Sequence, residues 1–291
     1  MPLRPLGATG LSVAPLVISG AGLLPPRAYE DARAAGCTHF FWEPRYATLE
    51  RALRRERSAG VVAGTYEASE RAIVADVERA LRRLRRDAID VFLLFWVRSP
   101  ARIDADAFDV LDRLARAGKI RAFGFSTHDR DLACDALRRG DARPWDVVMI
   151  RHSAAHPGAE ERLLPLARER GVGVLGFSAL SYGRVLGAAV SAADAYGYAL
   201  AQAGISACLS APRTRAELEE NLRVLSAPPL SLARQAELRA HGAIVREESR
   251  DFGRSIRRHP VGVLGEDAPE AGVAALGEWL DGEDALDPRF G

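Results

Sequence analysis

Residues 72–95 read AIVADVERALRRLRRDAIDVFLLF, an amphipathic stretch followed closely by an apolar one. In the first part, apolar residues recur at i, i+3 and i+4, which predicts a helix with one face against a sheet. The second part, from Ile89, is short, continuous and rich in β-branched and aromatic residues, which indicates a buried strand. A helix that leads directly into a buried strand is typical of a parallel sheet.

The same alternation of strand and helix patterns repeats along the chain. The predicted strands number eight and begin at Pro15, His39, Val61, Ile89, Ile120, Asp146, Val172 and Ile205. Amphipathic helices are predicted from Thr48, Ala72, Ala107, Asp131, Ala159 and Thr214. This count predicts an α/β protein with a (β/α)8 TIM barrel, whose sites lie on the loops after the strands. A doubly wound open sheet is the alternative, and the lack of a GxGxxG turn after the first strand disfavours it.

The 291 residues are expected to form a single domain with two appendages. Residues 1–14 predict a small hairpin that turns at GATG, and residues 15–225 form the barrel. Residues 226–291 are interpreted as a C-terminal helical extension that wraps the barrel, with the barrel mouth as one surface that it could cover. A helix is expected in SLARQAELRAHG from Ser231 and another in residues 271–280.

Composition argues for a cytoplasmic protein without charged macromolecular partners. Hydrophobic residues make up 48% of the chain, and 40 basic residues nearly balance 39 acidic ones, which disfavours nucleic acid and anionic membranes as partners. Neither a secretory leader nor an apolar run long enough to span a bilayer is recognised. Cys37, Cys134 and Cys208 lack CxxC spacing and are interpreted as buried apolar residues, so no Fe–S cluster is expected. His152 and His156 lack an HExxH pattern, so no metal is expected either.

Five long motifs, in order, resemble those of the aldo-keto reductases. They are RPLGATGLSVAPL (residues 4–16), RALRRLRRDAIDVFLLFW (79–96), GKIRAFGFST (118–127), ERGVGVLGFSALSYGRVLG (169–187) and APRTRAELEENL (211–222). The resemblance is collinear from about residue 3 to residue 225. It implies a TIM barrel that reduces carbonyl groups with NAD(P)H through an aspartate, a tyrosine, a lysine and a histidine.

The resemblance places these four catalytic positions on Phe41, Tyr46, Tyr66 and Phe95, so only the tyrosine is kept. The single lysine of the chain, Lys119, falls in the turn before the fifth strand and cannot take the missing role. General acid catalysis contributes about two to four orders of magnitude in rate, and one oxyanion donor contributes about two to three. The replacements therefore predict a protein that is impaired or inactive in ordinary carbonyl reduction, with Tyr46 as its remaining catalytic candidate.

The replaced positions predict an aromatic pocket at the barrel mouth that suits a small hydrophobic or aromatic ligand. Its expected members are Phe41, Trp42, Glu43, Arg45, Tyr46, Tyr66, Phe95 and Trp96. The simpler interpretation is that these rings only fill the mouth. His39 is either a substitute for the missing histidine or a buried core residue. Glu43 is either the ion-pair partner of Arg45 or a substitute acid.

The resemblance also assigns cofactor positions, which leave NADP(H) binding an open possibility. Ser126 matches the residue that holds the carboxamide, whereas Thr127 and Met149 replace amide side chains. Phe177 is expected under the nicotinamide, and the pyrophosphate loop is expected at Ser178 and Leu180. The remaining positions, near the adenine and the 2′-phosphate, are Arg213, Glu220 and Asn221. Residues 178–211 form a shorter segment than the family's cofactor flap requires.

The sequence thus indicates an aldo-keto reductase-like protein with impaired reduction and an aromatic ligand pocket. One alternative is an enzyme with altered chemistry on a hydrophobic or aromatic substrate, using Tyr46 and Glu43 for proton transfer. Another is a non-catalytic ligand-binding or scaffold protein. The substrate and the oligomeric state are not assigned by any motif.

Overall fold

A computed structural model describes residues 1–139 and 145–258 of the chain, and the predicted barrel is confirmed. Its strands are β1 (Arg4–Pro5), β2 (Ser12–Val13), β3 (Leu16–Ser19), β4 (His39–Phe41), β5 (Gly60–Thr65), β6 (Ile89–Leu94), β7 (Ile120–Thr127), β8 (Val147–Arg151), β9 (Gly173–Phe177) and β10 (Ile205–Ser210). Strands β3 to β10 pair in chain order, all in parallel, and β10 closes the barrel against β3. All eight strands predicted from the sequence form the barrel.

The N-terminal residues form the predicted hairpin. Strands β1 and β2 are antiparallel, with Arg4 opposite Val13. The turn has Gly7 and Gly10 at φ values of 57° and 77°, a backbone conformation that glycine adopts without steric cost. A Cβ at Gly7 would lie 2.3 Å from the backbone nitrogen of Gly173, so this glycine also lets the hairpin close the bottom of the barrel.

Nine α-helices are found in the described residues. They are α1 (Pro26–Ala34), α2 (Ala47–Arg55), α3 (Glu70–Leu84), α4 (Ala105–Arg116), α5 (Arg130–Arg139), α6 (Leu163–Glu169), α7 (Ala192–Ala201), α8 (Arg215–Leu222) and α9 (Leu232–Arg258). Helices α1 and α7 were not among the predicted ones. Seven of the ten residues of α7 are buried, so its sequence lacks an apolar stripe, and its signature is the capping box between Ser191 and Asp194.

Helix α9 is longer than the sequence predicted. The helix expected to end near Gly242 continues to Arg258, because Gly242 is a packing contact and not a helix stop. A Cβ at Gly242 would lie 2.3 Å from the backbone of Ala154, which follows β8. Val245 packs with Ala155 and Val185 on the same side of the helix. The helix predicted in residues 271–280 lies outside the described residues.

A buried polar network fixes α9 against the barrel. Arg239 on α9 donates to Glu160, which also accepts a hydrogen bond of 2.9 Å from the hydroxyl of Tyr198. The same carboxylate lies 3.0 Å from Nε2 of His152, whose ring stacks on Tyr198. Because the other three side chains share the carboxylate of Glu160, α9, α7 and the end of β8 are held in one arrangement.

Candidate functional site

Three aromatic rings pack together at the C-terminal ends of β4, β5 and β6. The ring centroids of Phe41 and Phe95 are 5.2 Å apart, and those of Tyr66 and Phe95 are 5.3 Å apart. Phe41 and Phe95 are buried, whereas Tyr66 is 53% exposed. Such distances suit favourable aromatic pairs. The structure therefore brings together the three positions where the sequence predicted aromatic replacements, with Phe95 between the other two.

Beside this cluster, the loop from β4 to α2 holds Tyr46 against a carboxylate. The phenol of Tyr46 donates a hydrogen bond of 2.6 Å to Oε1 of Glu43. Nη2 of Arg45 lies 3.1 Å from the same oxygen and 3.3 Å from the phenol oxygen. The backbone N–H of Tyr46 donates to the carbonyl of Glu43, so a tight turn sets this geometry.

The environment of Tyr46 keeps its phenol protonated. Burial raises the pKa of Tyr46, and the hydrogen bond to Glu43 raises it further, while Arg45 acts in the opposite direction. The single phenol proton is already donated to Glu43. In this geometry the phenol proton is directed at Glu43, and the phenol presents its oxygen lone pairs to a ligand.

The only lysine of the sequence is far from this site. Lys119 lies just before β7, at the N-terminal end of the barrel, and its ammonium pairs with Glu78 of α3. The mouth lies at the C-terminal ends of the strands. No ammonium group therefore stands beside the phenol of Tyr46.

His39 also lies at the far end of the barrel and belongs to the core. It begins β4, its Nδ1 lies 2.9 Å from the hydroxyl of Thr38, and burial lowers its pKa. A Cβ at Gly60 would come within 2.3 Å of the imidazole, which shows how closely the strands pack there. The geometry agrees with the core interpretation of His39 and places it away from the mouth.

The two tryptophans of the predicted pocket have different surroundings. Trp42 is not brought to the mouth, because strand alternation turns it outward, where the guanidinium of Arg83 lies 5.4 Å above its ring. Trp96 lies at the rim, 44% exposed, with the guanidinium of Arg98 5.5 Å from its ring. Its backbone N–H donates a hydrogen bond of 2.8 Å to Oγ of Ser126.

The residues assigned to the nicotinamide end are engaged in bonds within the protein. Thr127 donates to the carbonyl of Val97 at 2.7 Å and accepts from the N–H of Asp129 at 3.0 Å. The hydroxyl oxygen of Ser126 accepts a hydrogen bond from the backbone N–H of Trp96. Of the two hydroxyl groups of Ser126 and Thr127, only that of Ser126 therefore still has a proton to donate. Met149 is buried beside them on β8 and supplies no amide. A nicotinamide carboxamide at this position would have one hydroxyl donor, that of Ser126.

Phe177 and the loop after it lie on the opposite side of the mouth. The ring of Phe177 contacts the imidazole of His128 edge to face, with 5.0 Å between centroids. The carbonyl of Ser178 accepts a bond of 2.8 Å from the N–H of Ser181, and that of Leu180 accepts one of 2.8 Å from Gly183. Ser178 and Ser181 have φ values of 57° and 45°, so the loop is a compact, strained turn.

The residues assigned to the adenine end lie on and just before α8. The Arg213 side chain is exposed and lies 3.9 Å from Glu217, and Glu220 pairs with Arg223 at 2.7 Å. Asn221 is buried and donates to Ser210 at 3.0 Å. Of these residues, Arg213 has the side chain best placed to meet an anionic group.

Sequence reasoning missed a buried group of hydroxyls and an imidazole near the end of β8. The hydroxyls of Ser153 and Ser181 lie 3.0 Å apart and 3.3 Å and 3.4 Å from Nδ1 of His156. Burial lowers the pKa of His156 to about 2, with a contribution from Arg151. The imidazole is therefore neutral. These residues come from two loops, and neither loop has a motif that would have paired them.

The sequence analysis also made predictions about the cysteines, about metal binding and about membrane-spanning segments. Cys37, Cys134 and Cys208 are all buried, and burial raises the pKa of Cys37 and of Cys208 to about 12, so both are unreactive thiols. Among residues 1–139 and 145–258, no three His, Cys, Asp or Glu side chains converge as a metal site would require. No helix in the same part of the chain is long and apolar enough to cross a membrane.

Comparisons with known proteins agree with this architecture. The model of the aldo/keto reductase family matches residues 59–195. The NADH-specific methylglyoxal reductase of Escherichia coli (strain K12) is 32% identical over 121 residues, which are 41% of this chain and 36% of that protein. Aldo-keto reductase YhdN of Bacillus subtilis (strain 168) is 30% identical over 115 residues, 40% of this chain and 34% of that protein. The matched part of the chain spans about a third of the length of these two relatives.

The similarity in fold extends over a larger part of the chain. Aldo-keto reductase AKR11C1 from Bacillus halodurans, in its holo form, superposes with a TM-score of 0.70 at 20% sequence identity, covering 84% of this chain and 96% of that one. Its apo form gives a TM-score of 0.68 and covers 83% of this chain. At this level of sequence identity, the similarity shows a shared fold and no more. Residues 59–195 thus resemble the aldo/keto reductase family in sequence, and the described barrel has the fold of aldo-keto reductases.

Proposed function

We propose that this chain is an aldo-keto reductase-like protein that does not carry out ordinary NAD(P)H-dependent carbonyl reduction, and that its mouth binds a small hydrophobic or aromatic ligand. In this proposal the mouth holds a ligand-binding site, formed by Phe41, Tyr66 and Phe95, where a reductase would have its catalytic residues. Trp96 and Arg98 form its rim, and the pair of Glu43 and Tyr46 forms its polar wall.

The hydrogen bond from Tyr46 to Glu43 is the observation that carries the proposal. Carbonyl reduction needs a proton donor that points at the substrate oxygen, together with a group that stabilises negative charge there. The phenol proton of Tyr46 goes to Glu43 at 2.6 Å, and burial keeps its pKa raised. Phe41 and Phe95 supply neither a proton nor a charge. None of these three side chains presents a proton to a substrate carbonyl in this arrangement, which supports the proposal.

Binding of NADP(H), where it is retained, is expected to depend on the adenine end. Arg213 could meet the 2′-phosphate, since its planar fork suits that group. At the nicotinamide end, Thr127 has its hydroxyl occupied and Met149 has no amide. We therefore expect weak binding that discriminates poorly between the oxidised and the reduced cofactor.

The experiment is a titration of the protein with NADPH and with NADP⁺, followed by fluorescence and melting temperature, together with turnover of NADPH on a panel of aldehydes and ketones. The expected result is similar weak binding of both cofactors and no turnover above the protein-free rate. Arg213→Gln should weaken the binding, whereas Arg55→Gln, an exposed arginine at the end of α2, is the matched control. Robust turnover of any carbonyl compound would refute the proposal.

The ligand-binding part is tested with 2-naphthol, an aromatic probe without charge. Tyr66→Ala should weaken its binding several-fold, because one aromatic pair contributes about 0.5–1.5 kcal/mol. Leu232→Ala, at an exposed position on α9, should leave binding unchanged. Equal affinities of all three proteins would contradict an aromatic binding site at the mouth.

An enzyme with altered chemistry is the second candidate, and the short bond between Tyr46 and Glu43 favours it. A carboxylate that accepts the phenol proton could draw that proton away while the phenol oxygen takes one from a substrate. Such a relay requires both groups, so Tyr46→Phe and Glu43→Gln would abolish the reaction equally. A product that still forms with either variant would exclude this relay.

We further propose a cytoplasmic location. The balanced charge of the sequence supports a role without nucleic acid or membrane partners. A scaffold role is the remaining alternative. It predicts that neither cofactor nor 2-naphthol raises the melting temperature.

A further inference from the structure

Glu43 accepts its hydrogen bonds on one of its two carboxylate oxygens. The residue is 7% exposed, and the bonds from Tyr46 and from Arg45 both end on Oε1. Within residues 1–139 and 145–258, no donor reaches Oε2, and this oxygen is not among the fully enclosed polar atoms. A carboxylate oxygen has two lone pairs to offer, so Oε2 is an acceptor that a ligand can reach.

The open oxygen borders the aromatic cluster of the mouth. Strand alternation from Phe41 to Glu43 directs both side chains to the same side of the sheet, opposite to Trp42. Burial raises the pKa of Tyr66, and the charge of Glu43 raises it further, so the carboxylate lies near that phenol. A ring that stacks against Phe95 and Tyr66 would therefore have the carboxylate of Glu43 at its edge.

The two buried polar groups at this wall are acceptors, and the charge around them is not negative overall. The phenol proton of Tyr46 is directed at Glu43, so the phenol presents lone pairs. The guanidinium of Arg45, whose side chain is 69% exposed, offsets the charge of Glu43, and that of Arg98 lies on Trp96 at the rim. A neutral hydrogen-bond donor suits this wall better than a cation, which both guanidinium groups would repel.

We propose that the ligand of the mouth is a hydroxyaromatic compound whose hydroxyl group donates a hydrogen bond to Oε2 of Glu43. The inference rests on the aromatic ligand of the proposed function and adds the polar group that this ligand must carry. It makes Glu43 the residue that determines specificity, because a ligand without the hydroxyl leaves a buried acceptor unpaired. The polarity is the reverse of what carbonyl reduction needs, since the wall offers acceptors in place of a proton donor.

The test begins with fluorescence titration of the wild-type full chain with 2-naphthol and with 2-methylnaphthalene, in which a methyl group replaces the hydroxyl. We expect 2-naphthol to bind about tenfold or more tightly, the effect of one hydrogen bond to a charged group. The cation 2-naphthylmethylamine should bind more weakly than 2-naphthol. Tighter binding of this amine would overturn the choice of a neutral donor.

Glu43→Gln keeps the shape of the side chain and reverses the polarity of the open atom. The amide oxygen takes the place of Oε1, which accepts from Tyr46 and Arg45, so the NH₂ group lies where Oε2 was. The variant should lose the preference for 2-naphthol and should bind 2-naphthaldehyde, whose carbonyl is an acceptor, several-fold more tightly than the wild type does. Glu30→Gln, at an exposed position on α1, is the matched control and should behave as the wild type.

The outcomes separate this inference from the proposed function. Equal binding of 2-naphthol and 2-methylnaphthalene to the wild type would overturn the hydroxyl assignment and leave the aromatic site in place. If neither compound binds, the aromatic site is wrong and this inference fails with it. A Glu43→Gln protein that has the wild-type circular dichroism and keeps the full preference for 2-naphthol would show that Glu43 is not the acceptor. The comparison of ligands on the wild type needs no variant, so it decides the question even where Glu43→Gln does not fold.

Discussion

Replacement of Tyr46 by phenylalanine tests the central bond of the candidate site. The phenol is buried and donates to Glu43, so the change removes one hydrogen bond to a charged group without altering the ring. Such a bond contributes about 1.5–3 kcal/mol, and we expect Tyr46→Phe to lower the free energy of unfolding by that amount at pH 8. The larger consequence appears at alkaline pH.

The magnitude at alkaline pH follows from linkage. In the unfolded chain a tyrosine has a pKa of about 10, whereas burial and Glu43 raise the pKa of Tyr46 in the folded protein. Above pH 10 the unfolded state releases this proton and the folded state keeps it, so the stability contributed by Tyr46 falls as pH rises. For one such group the loss between pH 8 and pH 11 is about 1.4 kcal/mol.

The assay is denaturation by urea at pH 8 and at pH 11, for the wild type, Tyr46→Phe and Tyr182→Phe. The wild type should lose about 1.4 kcal/mol more between the two pH values than Tyr46→Phe does. Tyr182 is 61% exposed, and its variant controls for the loss of one phenol. If the wild type and Tyr46→Phe lose the same stability, the phenol of Tyr46 is not held protonated as argued.

Three further changes test the packing around the barrel. Leu238→Ala, at a buried contact of α9, should lower the free energy of unfolding by about 2–5 kcal/mol, whereas Leu232→Ala, at an exposed position, should change it by less than about 0.5 kcal/mol, both measured by urea denaturation. In an isolated helix, Gly242→Ala would be stabilising by about 1 kcal/mol. In this protein the new Cβ would meet the backbone of Ala154, so we expect the melting temperature to fall. A higher melting temperature would contradict this contact. Burial lowers the pKa of His152 to about 4, below the unfolded value of about 6.5. The free energy of unfolding should therefore fall by up to about 1.4 kcal/mol per pH unit as the pH drops from about 6.5 to about 4. His152→Gln should reduce this pH dependence, as measured by urea denaturation.

The barrel could be predicted from the sequence because its strands are buried on both faces. Val91, Phe92 and Leu93 are consecutive and all fully buried, a pattern typical of a central parallel strand. Helix α7 escaped prediction for the opposite reason, since a helix buried all round has no apolar stripe to recognise. The length of α9 escaped because Gly242 has the residue type of a helix end, and its packing role is visible only when Ala154 is opposite it.

The sequence predicted which residues lie near the barrel mouth, but it could not predict which side chains contact one another there. Motif spacing placed Phe41, Tyr66 and Phe95 at strand ends, and such ends meet in any barrel. Trp42 belonged to the same stretch, yet alternation along β4 turns it toward Arg83 in the helix layer. The donor role of Tyr46 could not be read from the sequence either, because it depends on a turn that brings Glu43 within 2.6 Å.

The contacts at the mouth are consistent with the three predicted replacements occurring together. Phe95 lies between Phe41 and Tyr66, with about equal distances to both rings, so a charged residue at Phe41 would face an aromatic ring and not a cation. A carboxylate buried there without a partner would cost about 3–5 kcal/mol. The carboxylate of Glu43 instead lies beside Arg45 and accepts a hydrogen bond from Tyr46. The aromatic rings therefore pack with one another, and the polar group of Tyr46, Glu43 and Arg45 satisfies its own hydrogen bonds.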